Sequence, residues 1–295
     1  MAWKFLTKGF GGLCTIFGKQ VLMTEYSLTR NQNFLKSQGI TGGHYYSSSY
    51  QKLQDGMIKD WSTMELSVGF EGTKEVVDAI ISYISTNMNL ADSSSGSTTN
   101  SVIIAENNYQ YSKTFSDARL TSFSMSASEG GLLRCNASFL IIENVFSIDS
   151  LAYNSAASSS NFGGSKDVVA YWGTKMELGS FGGQCVDWSF EWNQPYELKF
   201  ILSNSTASTV AVEPLKVLWS LPTVKFSMTS IYGESSFSSA SSSITDVALT
   251  IKLLNSTILT CDKCSVETYS PIIGDKGNYL GYTLSGFGSG KITTN

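Results

Sequence analysis

A single histidine, His44, four prolines and a charged fraction of only 15% set this chain of 295 residues apart. An ordinary soluble domain carries about 25% charged residues. With one imidazole, any Ser-His-Asp or Cys-His arrangement must use His44, and no G-x-S-x-G segment supplies a nucleophile elbow. The formal net charge of −4 gives no broad attraction to nucleic acid or to anionic membrane. No stretch approaches the run of about 18 apolar residues that a membrane helix requires. Lys4 and Lys8 precede Leu13-Cys14-Thr15-Ile16-Phe17, but Gly9, Gly11, Gly12 and Gly18 interrupt any apolar signal core. Five cysteines (Cys14, Cys135, Cys185, Cys261, Cys264) are an odd number in a long chain, unlike a small disulfide scaffold. The expectation is a soluble protein made in a reducing cytoplasm. A helical bundle is disfavoured too, because Ser, Thr, Gly, Tyr and Val outweigh the strong helix formers.

What is present is period two. Met64, Leu66, Val68 and Phe70 alternate with Thr63, Glu65, Ser67 and Gly69, which makes a strand with one apolar and one wet face. Phe123, Met125 and Ala127 alternate with serines, and Glu129-Gly130-Gly131 turns the chain into Leu133, Cys135, Ala137 and Phe139, a hairpin. In the second half, Trp188, Phe190 and Trp192 are expected to pair with Tyr196 to Leu202 across Asn193-Gln194-Pro195. A second hairpin is expected from Val217 to Met228 around Pro222. Val247 to Leu253 and Tyr279 to Leu284 complete the strands. One helix is predicted, over about 73–87. Thr73 caps it, and Val76, Val77, Ile80, Ile81 and Ile84 form the stripe that lays it flat on the sheet. The fold class is therefore mainly β: an antiparallel β-barrel or sandwich with one covering α-helix and an additional β-rich second half.

Long polar segments divide these elements. Residues 31–56 form a Tyr/Ser/Gln-rich loop, longer than a compact domain keeps without a use. Serine tracts cover 91–101, 155–165 and 234–245, and all four prolines lie beyond the middle one. A boundary near residue 155 is expected, with 1–154 one unit. Residues 155–295 then complete its barrel or form a second β domain.

Motifs with chemistry are few. Cys261-Asp262-Lys263-Cys264 has no second pair and no nearby histidine for zinc, so it reads as a thiol pair in a tight turn between strands. Gly286-Phe287-Gly288-Ser289-Gly290-Lys291-Ile292-Thr293 has the wrong spacing for a phosphate loop and reads as a flexible or partner-bound tail. Trp188, Phe190 and Trp192 could form a carbohydrate platform, but core is the stronger reading. Catalytic residues, metal ligands and cofactors are expected to be none, and the protein is not expected to be an enzyme.

Three features carry a family resemblance: the early strand Val21 to Arg30 running into a long polar loop around Gly39-Ile40, the strand feeding a helix from Trp61 to Ile84, and the late hairpin from Leu120 to Leu133. Over roughly residues 15–145 the chain resembles tail tube proteins of tailed bacteriophages, as an enlarged tube subunit. The resemblance implies homo-oligomers: hexameric rings stacked into a tube, located in the virion and assembled in the host cytoplasm. DNA would pass through without specific binding. Sheath, tape-measure and baseplate proteins would be its partners, with no membrane. Thr63, Glu65, Ser67, Ser122, Ser124 and Ser126 would face the lumen. Gly39, Ile40, His44, Tyr45, Tyr46 and Tyr50 would lie in the inter-subunit or inter-ring loop. Two alternatives remain open at this point. One is a trimeric baseplate hub or tube initiator with two tube-like barrels. The other is a non-enzymatic β-sandwich that binds surfaces or carbohydrate.

Overall fold

The computed structural model describes residues 13–36, 57–87, 102–106, 111–115, 118–142, 154–155, 167–179, 185–203, 211–231, 245–273, 279–288 and 292–294. Its strands and helix, in chain order, begin with β1 (Leu13–Ile16), β2 (Lys19–Lys36), β3 (Met57–Glu71) and α1 (Lys74–Asn87). Then come β4 (Val102–Glu106), β5 (Tyr111–Phe115), β6 (Arg119–Ser128), β7 (Arg134–Ile142) and β8 (Asn154–Ser155). Next are β9 (Thr174–Leu178), β10 (Cys185–Asn193), β11 (Tyr196–Ser203) and β12 (Ala211–Trp219). The last are β13 (Thr223–Ile231), β14 (Val247–Leu253), β15 (Ser256–Ile273), β16 (Tyr279–Gly288) and β17 (Ile292–Thr293).

The fold is mainly antiparallel β with one helix. A 15-stranded sheet runs in the order β8-β5-β4-β1-β2-β3-β7-β6-β10-β13-β16-β15-β14-β9, with β17 added to β15. The ladder is continuous through β6 and β10, which pair from Ser128 with Asp187 to Ser122 with Asn193. Its end strands do not pair with each other among the described residues, so the sheet is open and no barrel closes.

The open sheet nevertheless folds back on itself. β10 and β9 lie five places apart in the ladder, about 24 Å in a flat sheet. Yet the Trp188 indole N–H on β10 donates to Thr174 Oγ1 on β9 at 3.0 Å. Backbone bonds close the remaining gap: Leu133 N–H to Val169 O (2.8 Å), Tyr171 N–H to Gly131 O (3.0 Å) and Leu254 N–H to Gly173 O (2.7 Å). A short segment, 169–173, thus does the stitching that ladder bonds would do in a closed barrel.

Helix α1 fills the fold. Thr73 Oγ1 accepts the Val76 N–H at 3.4 Å, which makes it the expected cap. A 14-residue helix is marginal alone, so packing must hold it. Val76, Val77, Ile80, Ile81 and Ile84 are all buried, each stabilising by about 1.5–3 kcal/mol. The helix touches β2, β15 and β17. Phe17 stacks on Tyr83 at 4.7 Å, tying the β1–β2 turn to it. The apolar strand faces, including Phe70, Phe123, Phe190 and Trp192, join α1 in one hydrophobic cluster.

Several expectations change. Residues 31–36 belong to β2 and pair with Met57–Thr63, so the first part of the expected loop is a β-ribbon. β10 does not pair with β11. It pairs with β6 and β13, while β11 pairs with β12 as a separate two-stranded sheet. The expected β12–β13 hairpin is likewise absent among the described residues. The ladder from Asn193 to Thr223 closes across the whole ribbon, and Pro195 and Pro222, lacking N–H groups, flank its departure.

The Cys261–Cys264 segment is no turn; it lies inside β15. Leu249 and Val247 on β14 oppose Cys261 and Cys264, two steps against three, which is a β-bulge. The bulge turns both thiols inward, and both cysteines are fully buried. The glycine-rich C-terminal segment is not a free tail either: Gly286 and Gly288 are in β16, and Ile292–Thr293 pair with β15. Gly286 is needed there, because a Cβ would stand 2.1 Å from the Ser265 carbonyl oxygen.

Candidate functional site

In an antiparallel ladder, directly opposed residues share a face. Following the register across strands therefore shows what the wet sheet face carries. One row runs Ser27, Ser67, Ser138, Ser122, Asn193, Thr223 through β2, β3, β7, β6, β10 and β13. A second runs Arg134, Ser126, Ser189, Ser227, Ser285, Thr268 from β7 to β15. Between them, Gly69, Asn136, Ser124, Glu191 and Lys225 form a third. The alternation that buries Phe123, Met125, Phe190 and Phe226 on one side places short polar side chains on the other.

Ser67, Ser122, Ser124 and Ser126 thus come together on one face, and Glu65 lies two residues along β3 from Ser67. Thr63 stands at the end of the β3–β7 ladder, opposite Ile142. Glu65 and Ser126 are exposed, while Ser67, Ser122 and Ser124 are half-buried. Gly39, Ile40, His44, Tyr45, Tyr46 and Tyr50 lie outside the described residues.

The hydroxyls bond among themselves. Ser67 Oγ donates to Asn136 Oδ1 at 3.0 Å, Ser138 Oγ to Ser67 Oγ at 3.4 Å, and Thr121 Oγ1 to the Ser138 carbonyl at 3.1 Å. Across β13 and β16, Thr229 and Thr283 share a bond of 3.3 Å. The face is faintly acidic along these rows. Glu71 and Glu191 stand in register with Arg134 and Lys225, and a further acid, Asp187, lies opposite Ser128 and Thr229 in the next row. Glu25 folds over Gly69, where a Cβ would stand 2.8 Å from its Cγ.

The base of the β11–β12 ribbon covers part of this face, which the sequence pattern did not reveal. The Tyr196 hydroxyl donates to Glu65 Oε1 at 3.4 Å, and its ring meets Trp219 edge-on at 5.8 Å. Burial first, and then the Glu65 carboxylate, raise the Tyr196 phenol above its usual range. A cleft of about 420 Å³ opens beneath, with Ser27, Ser67, Ser122, Asn193, Glu65 and Tyr196 in its walls.

Trp188, Phe190 and Trp192 are buried, as the core reading expects. Among the described residues no group of three or more His, Cys, Asp or Glu is placed to hold a metal ion. No described helix is long and apolar enough to cross a membrane.

No family model and no curated protein matches the chain. Among solved structures, one match is a chain described as "Virion of native gene transfer agent (GTA) particle". It is 9% identical, with 42% of this chain and 96% of that chain covered and a TM-score of 0.27. A likeness that slight carries no argument about what this chain does.

Proposed function

We propose that this chain is a non-enzymatic structural subunit of a phage tail tube. In this reading it forms stacked hexameric rings around a lumen that conducts DNA, assembled in the host cytoplasm and carried in the virion. The observation that carries the reading is the polar face: serine, threonine and asparagine in adjoining rows across eight strands, with few basic residues. A bore that conducts DNA must not hold it. Each lysine or arginine contact to a phosphate adds salt-dependent affinity, and several together bind DNA tightly. Short uncharged polar side chains that bond to one another, as Ser67, Ser138 and Asn136 do, present a smooth wall with little charge.

The β2–β3 ribbon supports the same reading. Gln32–Lys36 and Met57–Ser62 pair with each other beyond the point where β7 stops at Ile142. An arm of this kind suits contact with a neighbouring subunit or ring, and closed rings need such a heterologous interface. Sheath, tape-measure and baseplate proteins are the proposed partners. Negative-stain microscopy of the purified full-length protein tests the class: rings or hollow rods support it, and a persistent monomer overturns it.

A further inference from the structure

We infer that the cleft beneath the β11–β12 ribbon is a binding site for an uncharged, hydroxyl-rich ligand, a saccharide. The inference goes beyond the tube reading and does not depend on it.

The chemistry of the walls selects the ligand. Among the described residues no lysine, arginine or histidine lines the cleft, so a phosphate or carboxylate ligand would meet no cation from them. Hydroxyls and side-chain amides dominate instead: Ser27, Thr29, Ser122, Asn193 and Gln194 offer donors and acceptors on one concave surface. Such a set matches vicinal sugar hydroxyls, each of which also donates and accepts. Glu65 adds one carboxylate, a strong acceptor for sugar hydroxyls. It is held in place by the Tyr196 hydroxyl at 3.4 Å.

An apolar wall completes the site. Tyr196 lines the cleft and is only half-buried, and Trp219 braces its ring edge-on at 5.8 Å. A braced aromatic ring beside clustered hydroxyls suits the mixed surface of a sugar, whose C–H face packs on the ring while its hydroxyls reach the polar wall. A volume of about 420 Å³ falls within the range of small-molecule sites and accommodates one or two sugar rings.

The sheet makes this arrangement possible. Pro195 and Pro222 mark where the chain leaves and rejoins the ladder between β10 and β13, and the ribbon base returns over β3. Without the ribbon, Ser27, Ser67 and Ser122 would be a flat row; with it, they floor a cleft.

Saturation-transfer NMR and calorimetry on the unassembled full-length protein test the site, with maltotetraose, cellotetraose and chitotetraose as probes. At least one is expected to bind with a dissociation constant of about 1 mM or tighter. Tyr196→Ala and Glu65→Gln should each weaken that binding about tenfold or more. Trp172→Ala serves as the control. That residue is 81% exposed, lies away from the cleft and should leave binding unchanged. If circular dichroism shows that Tyr196→Ala misfolds, Tyr196→Phe replaces it, which keeps the ring and removes the bond to Glu65, and should weaken binding less than Glu65→Gln plus Tyr196→Phe together. Binding by none of the probes, or binding untouched by the cleft substitutions, overturns the inference. Ring formation is read separately by microscopy, so failure of one claim leaves the other standing.

Discussion

The indole N–H of Trp188 reaches Thr174 Oγ1 at 3.0 Å, while the indole N–H of Trp192, four residues along the same strand, is buried with no partner among the described residues. The two tryptophans face the same core, and their indole N–H groups differ in this bond. Replacing a bonded buried donor loses its hydrogen bond, although Thr174 Oγ1 keeps its bond to the Tyr171 carbonyl at 2.7 Å, whereas removing an orphaned donor relieves a desolvation cost. Trp188→Phe should therefore destabilise the fold more than Trp192→Phe, by about 1–2 kcal/mol. Urea unfolding of both variants, with comparable slopes, checks the difference. Equal losses would remove the Trp188–Thr174 bond from the account of how β9 is held over β10.

Gly288 sits beneath the bulge in β15. A Cβ there would stand 2.8 Å from Cys264 Sγ and 2.9 Å from Cys261 Sγ. Gly288→Ala should cost about 1–3 kcal/mol through overpacking. Adding Cys261→Ala opens space beside the new methyl and should recover part of that loss, a non-additive result expected of touching residues. Denaturation midpoints of the two single variants and the double variant form the cycle that checks it.

The fold should weaken in alkali. Burial, and then the neighbouring Asp187 carboxylate, push the Cys185 thiol up to about 12, against about 8.5 for an unfolded cysteine. Burial alone raises Cys14 and Cys135 in the same direction. The unfolded chain thus loses these protons first. The associated stability is whole below about pH 8.5 and is lost as pH climbs toward 12. Urea midpoints measured between about pH 8 and pH 10 should fall steadily. In Cys185→Ala, which removes one titrating group, the fall should be shallower.

How much of this was legible beforehand depends on the range of the interaction. The alternation of Phe123, Met125 and Ala127 with serines, and the stripe from Val76 to Ile84, are local periodicities, and both elements formed where that pattern placed them. Pairing is different, because period two fixes which face a residue takes but not which strand lies beside it. Thus β10 was expected beside β11, its neighbour in sequence, yet pairs with β6 and β13, whose apolar faces match its tryptophans. The bulge at Cys261–Cys264 was hidden for the same reason, since two opposite-parity residues share a side only once the β14 register is known. Alternation puts Ser67, Ser122 and Ser126 on the wet side of their own strands, but only the ladder register brings them onto one face. The covering of Glu65 by Tyr196, 131 positions away, had no local signal.

A lysine on the polar face should change what the protein does to DNA while leaving its fold intact. Ser124→Lys with Ser126→Lys places two cations on positions that meet no tight core packing. In assembled material these should create DNA retention that weakens as salt rises, with a slope growing by about 0.9 for each phosphate contacted. Filter binding at low and moderate salt measures it. Strong retention by the unaltered assembly would contradict a sliding wall.

The most direct test of the central claim is a cryo-electron microscopy reconstruction of the assembled protein at side-chain resolution. The account predicts stacked sixfold rings with Ser122, Ser124 and Ser126 directed into an open lumen. A threefold ring, or those serines buried in contacts between subunits, would contradict it.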